Sequence, residues 1–117
     1  MQSGLETRDL DQVSGALAHI QENLDSPLRL GDLAEMTDLS NYQLDQRIRA
    51  LFGISAGQYI TRCRIEQACH QLERTEEAIG FIALNCGYSD QSAFTRQFGL
   101  SVGMTPRAYR ESNRKRE

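Results

Sequence analysis

The sequence predicts a helical fold built around a duplicated helix-turn-helix. Two observations carry the prediction. The chain repeats itself: Leu33-Ala34, Asp38-Leu39-Ser40, Leu44, Ile48, Gly53 and Tyr59 return as Ile82-Ala83, Gly87-Tyr88-Ser89, Phe94, Phe98, Gly103 and Tyr109. The offset is forty-nine residues up to the serine and fifty after it, so the second copy carries one extra residue after its turn. A period of this length marks a duplicated supersecondary unit, in too few copies for a solenoid. Ahead of the first copy, Leu10, Val13, Leu17, Ile20 and Leu24 stand at 3-4-3-4 spacing, the apolar stripe of an amphipathic helix.

Taken in order, residues 1–8 have no pattern and are expected to be a disordered tail or linker remnant, and Met1 to Leu10 is too polar for a signal peptide. The stripe helix follows and ends at Ser26-Pro27. In each repeat a short helix packs through a small residue, Ala34 or Ala83. Asp38 or Gly87 then supplies a left-handed turn, and Leu39 or Tyr88 plugs the corner. Ser40 caps the next helix in the first copy, Ser89 or Asp90 in the second. That helix has an apolar stripe, Leu44, Ile48 and Leu51 or Phe94, Phe98 and Val102. Its first turns are polar: Asn41-Tyr42-Gln43 with Asp45-Gln46, and Gln91-Ser92 with Thr95-Arg96. One such helix says little, since every amphipathic helix has a polar face. Two in register point to the major groove of DNA. Thr75 is expected to cap a helix beginning near Glu76, and Thr105-Pro106 to open the last one.

Composition bounds the reading. The 117 residues make one ordinary domain, with no tryptophan and few aromatics, so Leu, Ile and Ala must build most of the core. No apolar run approaches the ~20 residues of a membrane-spanning helix. Cys63, Cys69 and Cys86 form no C-x-x-C and are odd in number, which argues for reduced thiols in a cytosol and against zinc or a disulfide framework. His19 and His70 belong to no catalytic grouping and no glycine-rich loop follows a strand, so an enzyme is not expected, nor a metal or cofactor. The net charge of −3 sits oddly with DNA binding, but its distribution does not. Up to Ser40 acids dominate, with Asp11, Glu22, Asp25, Asp32, Glu35 and Asp38 among them. From Asn41 onward arginines do, ending in Arg114-Lys115-Arg116. Halves of opposite sign fit a basic nucleic-acid face backed by an acidic one.

The second repeat and its exit, Ile82-Ala83-x-x-x-Gly87-Tyr88-Ser89-Asp90-Gln91-Ser92-x-Phe94-x-Arg96-x-Phe98 and Gly103-Met104-Thr105-Pro106-x-x-Tyr109-Arg110, resemble the AraC/XylS bacterial transcription regulators. Tyr59-Ile60-x-x-Cys63-Arg64-Ile65-x-x-Ala68-x-x-Leu72 is similar to the family's linker helix, and the match covers about Pro27 to Arg110. The resemblance implies an all-α fold of about seven helices, with two helix-turn-helix subdomains joined by a long helix. The DNA-binding domain would occupy residues 9–112: a first subdomain over 9–54, the linker helix over 57–72 and a second subdomain over 75–112, with a basic tail at 113–117.

By the same resemblance, the base-facing positions are Tyr42, Asp45 and Gln46 in the first recognition helix and Gln91, Ser92, Thr95 and Arg96 in the second. Ser40, Asn41, Arg49, Ser89, Asp90 and Arg107 fall at phosphate-contacting positions. Arg96 can fork onto guanine O6 and N7 or hold a phosphate. Gln91 and Gln46 can read adenine directly or through water. Tyr42 can pack on a thymine methyl, bond a phosphate or close the helix N-terminus. Asp45 is repelled by phosphates unless it accepts from cytosine N4 or orients Arg49, four residues on.

Departures from the family pattern are Arg29 at a capping position, Arg47 and Ile48 in the first recognition helix, Ala56 where proline is common, and Gly99 in place of a lysine. The glycine loosens its helix by ~1 kcal/mol. A linker helix over 57–72 would span roughly 24 Å at ~1.5 Å per residue. With the helix widths added, the recognition helices would stand about one duplex turn, ~34 Å, apart, letting one chain read an asymmetric site, unless a rigid linker requires the DNA to bend or leaves one helix disengaged. The expected function is therefore sequence-specific DNA-binding transcription regulation, with activation the commoner family role. The expected partners are double-stranded DNA, RNA polymerase and an N-terminal sensor or dimerisation domain, with no membrane. The setting would be the bacterial cytoplasm, associated with the nucleoid when bound. The chain reads as an excised C-terminal domain or, less commonly in the family, a stand-alone regulator. The N-terminal stripe packs on the first subdomain or contacts a dimer partner or sensor domain. The alternative function is a protein-interaction domain whose acidic N-terminal half binds a sensor domain or partner, with weak DNA binding.

Overall fold

The computed structural model describes residues 2–114, with side chains from Leu10 onward; Met1 and, from the expected basic tail, residues 115–117 lie outside the described residues. Seven helices and no strand occur among the described residues: α1 (Gln2–Glu22), α2 (Leu30–Glu35), α3 (Asn41–Phe52), α4 (Ala56–Arg74), α5 (Ile79–Asn85), α6 (Gln91–Val102) and α7 (Pro106–Arg114). The chain divides into two compact units, Met1–Thr61 and Arg62–Glu117, with the division inside α4.

In the first unit α1 packs on α2 and α3. It buries Val13, Ala16, Ile20 and Leu24, while Leu17 is half-buried and Leu10 is exposed, so the stripe begins one turn later than its spacing suggests. Helix α1 itself starts at Gln2, not near Asp9 as expected for a chain with a disordered tail over 1–8. Extending an existing helix adds a hydrogen bond for each residue ordered, and Leu5 and Glu6 are good helix formers, so the lack of a stripe there does not stop it. Leu33 and Ala34 of α2 and Leu44 and Ile48 of α3 close the core, joined by Ala56, Tyr59 and Ile60 from the start of α4. The rings of Phe52 and Tyr59 lie 4.6 Å apart, and Arg47 Nε donates to Gln12 Oε1 at 3.1 Å across the α1–α3 seam. Helix α2 starts from Arg29 with no side-chain cap.

The second unit is held by a chain of rings. Tyr88, Phe94, Phe98 and Tyr109 follow one another at 5.4, 5.6 and 5.6 Å between centroids. Ile65, Ala68 and Leu72 of α4 and Ile82, Ala83 and Cys86 pack with the two phenylalanines, which are fully buried. Arg110 in α7 ties this unit together by backbone contacts: Nε donates to Leu72 O at 3.2 Å, and Nη2 donates to Thr75 O at 3.2 Å and Glu77 O at 2.9 Å. Two of those carbonyls flank the C-terminus of α4, where four carbonyls lack intrahelical partners. This grip explains why Thr75 does not cap α5. Thr75 is drawn into the end of α4, its N–H and hydroxyl both donating to Gln71 O, and residues 75–78 run outside any helix until Ala78 opens α5 without a side-chain cap.

The two turns are built differently, and the offset changes after them, where Asp90 rather than Ser89 precedes α6. In the second unit Gly87 takes φ 93, its N–H donates to Leu84 O, and the Tyr88 N–H donates to Ala83 O. This pair of bonds is a Schellman motif. Asp38 takes no left-handed conformation; among the described residues only glycines have positive φ. The Thr37 side chain does the work instead, its hydroxyl donating to Ala34 O at 2.7 Å and accepting from the Leu39 N–H at 3.0 Å. A short polar side chain that bonds its neighbouring backbone can replace a glycine in a turn.

Two predictions follow from these contacts. Gly87→Ala should cost about 1–2 kcal/mol, the penalty of a left-handed alanine, whereas Asp38→Ala should stay within about 0.5 kcal/mol. Urea denaturation of both variants checks this. Arg110→Ala should cost about 1.5–3 kcal/mol, and Arg110→Lys should recover little of it, because an ammonium cannot reach three carbonyls as a planar fork does; chemical denaturation of the two variants decides.

Candidate nucleic-acid interface

Each recognition helix is set by a cap at its start and a glycine at its end. Ser40 caps α3 with a full capping box: its Oγ accepts from the Gln43 N–H at 3.2 Å, and Gln43 Oε1 accepts from the Ser40 N–H at 3.0 Å. In α6 Asp90, not Ser89, is the cap, its Oδ1 accepting from the Ala93 N–H at 2.7 Å. Gly53 and Gly103 close the helices at φ 75 and 88. Between these ends Leu44 and Ile48, and Phe94 and Phe98, turn fully inward.

The opposite faces are thereby turned outward. On α3, Tyr42 is 73% exposed, Arg49 is exposed and Gln46 is half-buried between them at four- and three-residue spacing. On α6, Ser92 and Arg96 are exposed, followed by half-buried Gly99 and by Leu100, which is 79% exposed. Arg96 and the exposed Arg107 of α7 make no ion pair or hydrogen bond among the described residues. Thr95 is half-buried on the flank of α6. Asn41 and Gln91 occupy equivalent first positions and turn back over equivalent glycines, Gly31 and Gly80; a Cβ at Gly80 would stand 3.1 Å from Gln91 Oε1.

Besides the cap Ser40, three more residues expected at the DNA surface have work inside the protein. Asp45 uses both carboxylate oxygens: Oδ1 accepts from the Ala56 N–H at 2.8 Å and Oδ2 from Arg49 Nε at 2.8 Å. Both bonds fix the direction of the carboxylate toward the protein, so a base would have to come to it where it is held. The Ala56 amide, then the Arg49 side chain, holds its carboxyl below the usual carboxylate range. Asp90 is an acceptor engaged by its own helix, so its side chain has no proton to offer a phosphate. Arg49 is tied through Nε but remains 52% exposed.

The arginine-rich stretch is partly neutralised within its own fold. Arg62 pairs with Glu66 and Arg114 with Glu76 and Glu111, while Arg110 serves backbone carbonyls. Residue spacing signals the Arg62–Glu66 pair, but the longer-range partners could not be read without the fold. All three cysteines are free thiols, and burial pushes Cys69 up and Cys86 up to about 11, so neither is poised as a thiolate.

The lowered Asp45 carboxyl has a pH consequence. A folded-state value below the ordinary 3.8 contributes stability that is present above that value and lost as pH falls through the folded one. Asp45→Asn should therefore melt below the unaltered chain at neutral pH, with the gap closing below about pH 4; melting curves from pH 7 to pH 2.5 test this.

The pattern of the family described as a helix-turn-helix domain matches residues 33–112. The HTH-type transcriptional activator AarP of Providencia stuartii is 32% identical over 101 residues, covering 86% of this chain and 75% of AarP. The MmsAB operon regulatory protein of Pseudomonas aeruginosa is also 32% identical, over 109 residues and 93% of this chain. The chain spans only 34% of that longer relative. Among solved structures, the DNA-binding domain of AdpA, the global transcriptional factor crystallised with a target DNA, aligns with a TM-score of 0.84 and 27% identity over 91% of this chain and 96% of that one. With its duplicated units, its capped recognition helices and these relatives, the chain belongs to the AraC/XylS family of transcription regulators, as a double helix-turn-helix DNA-binding domain.

Proposed function

We propose that the chain is the DNA-reading part of a transcription activator, which lays α3 and α6 into successive major-groove segments of one asymmetric site. The observation that carries this is the outward face of each recognition helix. Tyr42, Gln46 and Arg49 occupy one, and Ser92 and Arg96 the other, at equivalent positions of two units whose inward faces are fully buried. Arg96 is the principal reader, because its five donors match the paired acceptors of guanine and nothing in the described protein engages them. Arg107 holds a phosphate beside it. Activation is favoured by relatives such as AarP, named as an activator. RNA polymerase and an N-terminal sensor domain are the further partners of this reading, and the bacterial cytoplasm, on the nucleoid, its setting.

A cleft in the first unit favours a second reading, partner binding through the acidic half. Asp11, Gln12, Glu35, Met36, Thr37, Asp38 and Leu39 line about 480 Å³, so three carboxylates stand around an exposed methionine.

Selection of sites from a random duplex pool at low salt, followed by salt titration, distinguishes the two. The expected result is an asymmetric motif of two boxes about one duplex turn apart, losing affinity steeply with salt. One short box would restrict reading to a single helix, and no enrichment would leave the acidic cleft as the better guide. On the selected site, Arg96→Ala should cost about 1–3 kcal/mol and relax preference at one base pair, while Arg107→Ala should weaken all sequences alike and reduce the salt slope by about 1.

A further inference from the structure

The first unit solves a problem that the second does not have. Ala56 begins α4 as Pro106 begins α7, fifty residues on. Proline brings no N–H, so the first turn of α7 has one donor fewer to satisfy. The Ala56 N–H is a donor at a helix start, where no intrahelical acceptor exists. Ser55 and Gln58 deal with neighbouring donors: the Gln58 N–H donates to Ser55 Oγ at 3.1 Å and the Ser55 N–H to Gln58 Oε1 at 2.9 Å. The Ala56 N–H goes to Asp45, eleven residues back on α3. The equivalent of Asp45 in α6 is Thr95, and the equivalent of Arg49 is Gly99, so the second unit has neither the carboxylate nor the arginine.

We infer that Asp45 is a positioning residue: gripping the Ala56 N–H with one oxygen, it uses the other to hold the Arg49 guanidinium on the outward face of α3, so that DNA meets Arg49 and not the carboxylate. The inference rests on the reading that α3 enters DNA. A carboxylate on a helix start is favoured by the dipole of that helix, and bonded at both oxygens it has little freedom to turn. The Nε bond uses one of the guanidinium's five donors, and the side chain remains 52% exposed against 22% for Asp45. Arg49 stands seven residues after Tyr42 and three after Gln46, on the same face. The pair has no net charge, so its contribution is one placed contact to a phosphate rather than a general positive field.

The test uses the duplex selected for the unaltered chain, with affinity from fluorescence anisotropy at several salt concentrations and melting temperature from circular dichroism. Arg49→Ala should weaken binding about tenfold and lower the salt slope by about 1, as loss of one phosphate contact does. Asp45→Ala should weaken binding by a similar factor and add less than about twofold on top of Arg49→Ala, since coupled residues are non-additive. Ala56→Pro separates the two duties: placed in Asp45→Ala, it should restore the melting temperature but not the affinity. Three outcomes overturn the inference: tighter or unchanged binding by Asp45→Ala, multiplied losses in the double variant, or affinity recovered together with stability by Ala56→Pro. Failure of the unaltered chain to select any duplex would instead sink the DNA reading of α3, and the role of Arg49 with it. The hold itself is read without DNA from the Arg49 Nε–H proton resonance, expected to be sharp in the unaltered chain and broadened in Asp45→Ala; an equally broad signal in both overturns it.

Discussion

The structure depends on one constraint, that each recognition helix must bury a pair of residues one turn apart. Leu44 and Ile48 do this in α3, Phe94 and Phe98 in α6, and all four are fully buried. Helices of twelve residues are marginal in water, and most of their stability must come from packing one face. Once those pairs point inward, helical geometry leaves Tyr42, Gln46 and Arg49, or Ser92 and Arg96, pointing out. The small residues Ala34 and Ala83 let the preceding helix approach closely enough for the pair to be covered. The outward polar face is thus a by-product of the buried one.

Within that constraint the two units reach the same arrangement by different chemistry. The second adds backbone conformation, with Gly87 in a Schellman turn and Pro106 at a helix start, to the Asp90 cap, the Arg110 bonds and the rings in series through its core. The first uses side-chain hydrogen bonds: Thr37 in its turn, Ser40 with Gln43, Ser55 with Gln58, Asp45 on Ala56. Glycine and proline restrict or release the backbone directly, whereas side-chain caps must be desolvated and held.

The charge pattern changes meaning when the partners are known. Arginine dominates the second half of the chain, yet Arg49, Arg62, Arg110 and Arg114 are engaged by carboxylates or carbonyls of the protein itself. Arg96 on α6 and Arg107 on α7 keep their positive charge exposed. Few cations are left uncommitted, so the positive field of the second half is weaker than its arginine count suggests.

Much of this was legible in the residues alone. The repeat of Leu33, Leu44, Ile48 and Gly53 as Ile82, Phe94, Phe98 and Gly103 determined the helical class, the place of the two turns and the inward stripes, though not the conformation of the turn at Asp38, because helix periodicity is local and survives in any tertiary setting. The caps at Ser40 and Thr105-Pro106 were legible for the same reason. The glycines under Asn41 and Gln91, Gly31 and Gly80, take their meaning only with the helices in place. Tertiary structure alone decided the rest: that Asp45 serves Ala56 eleven residues away, that Arg110 reaches back to carbonyls more than thirty residues earlier, and that Thr75 ends α4 instead of opening α5. Each of these choices depends on where a distant backbone N–H or C=O comes to lie, and that is set by packing rather than by the order of neighbouring residues.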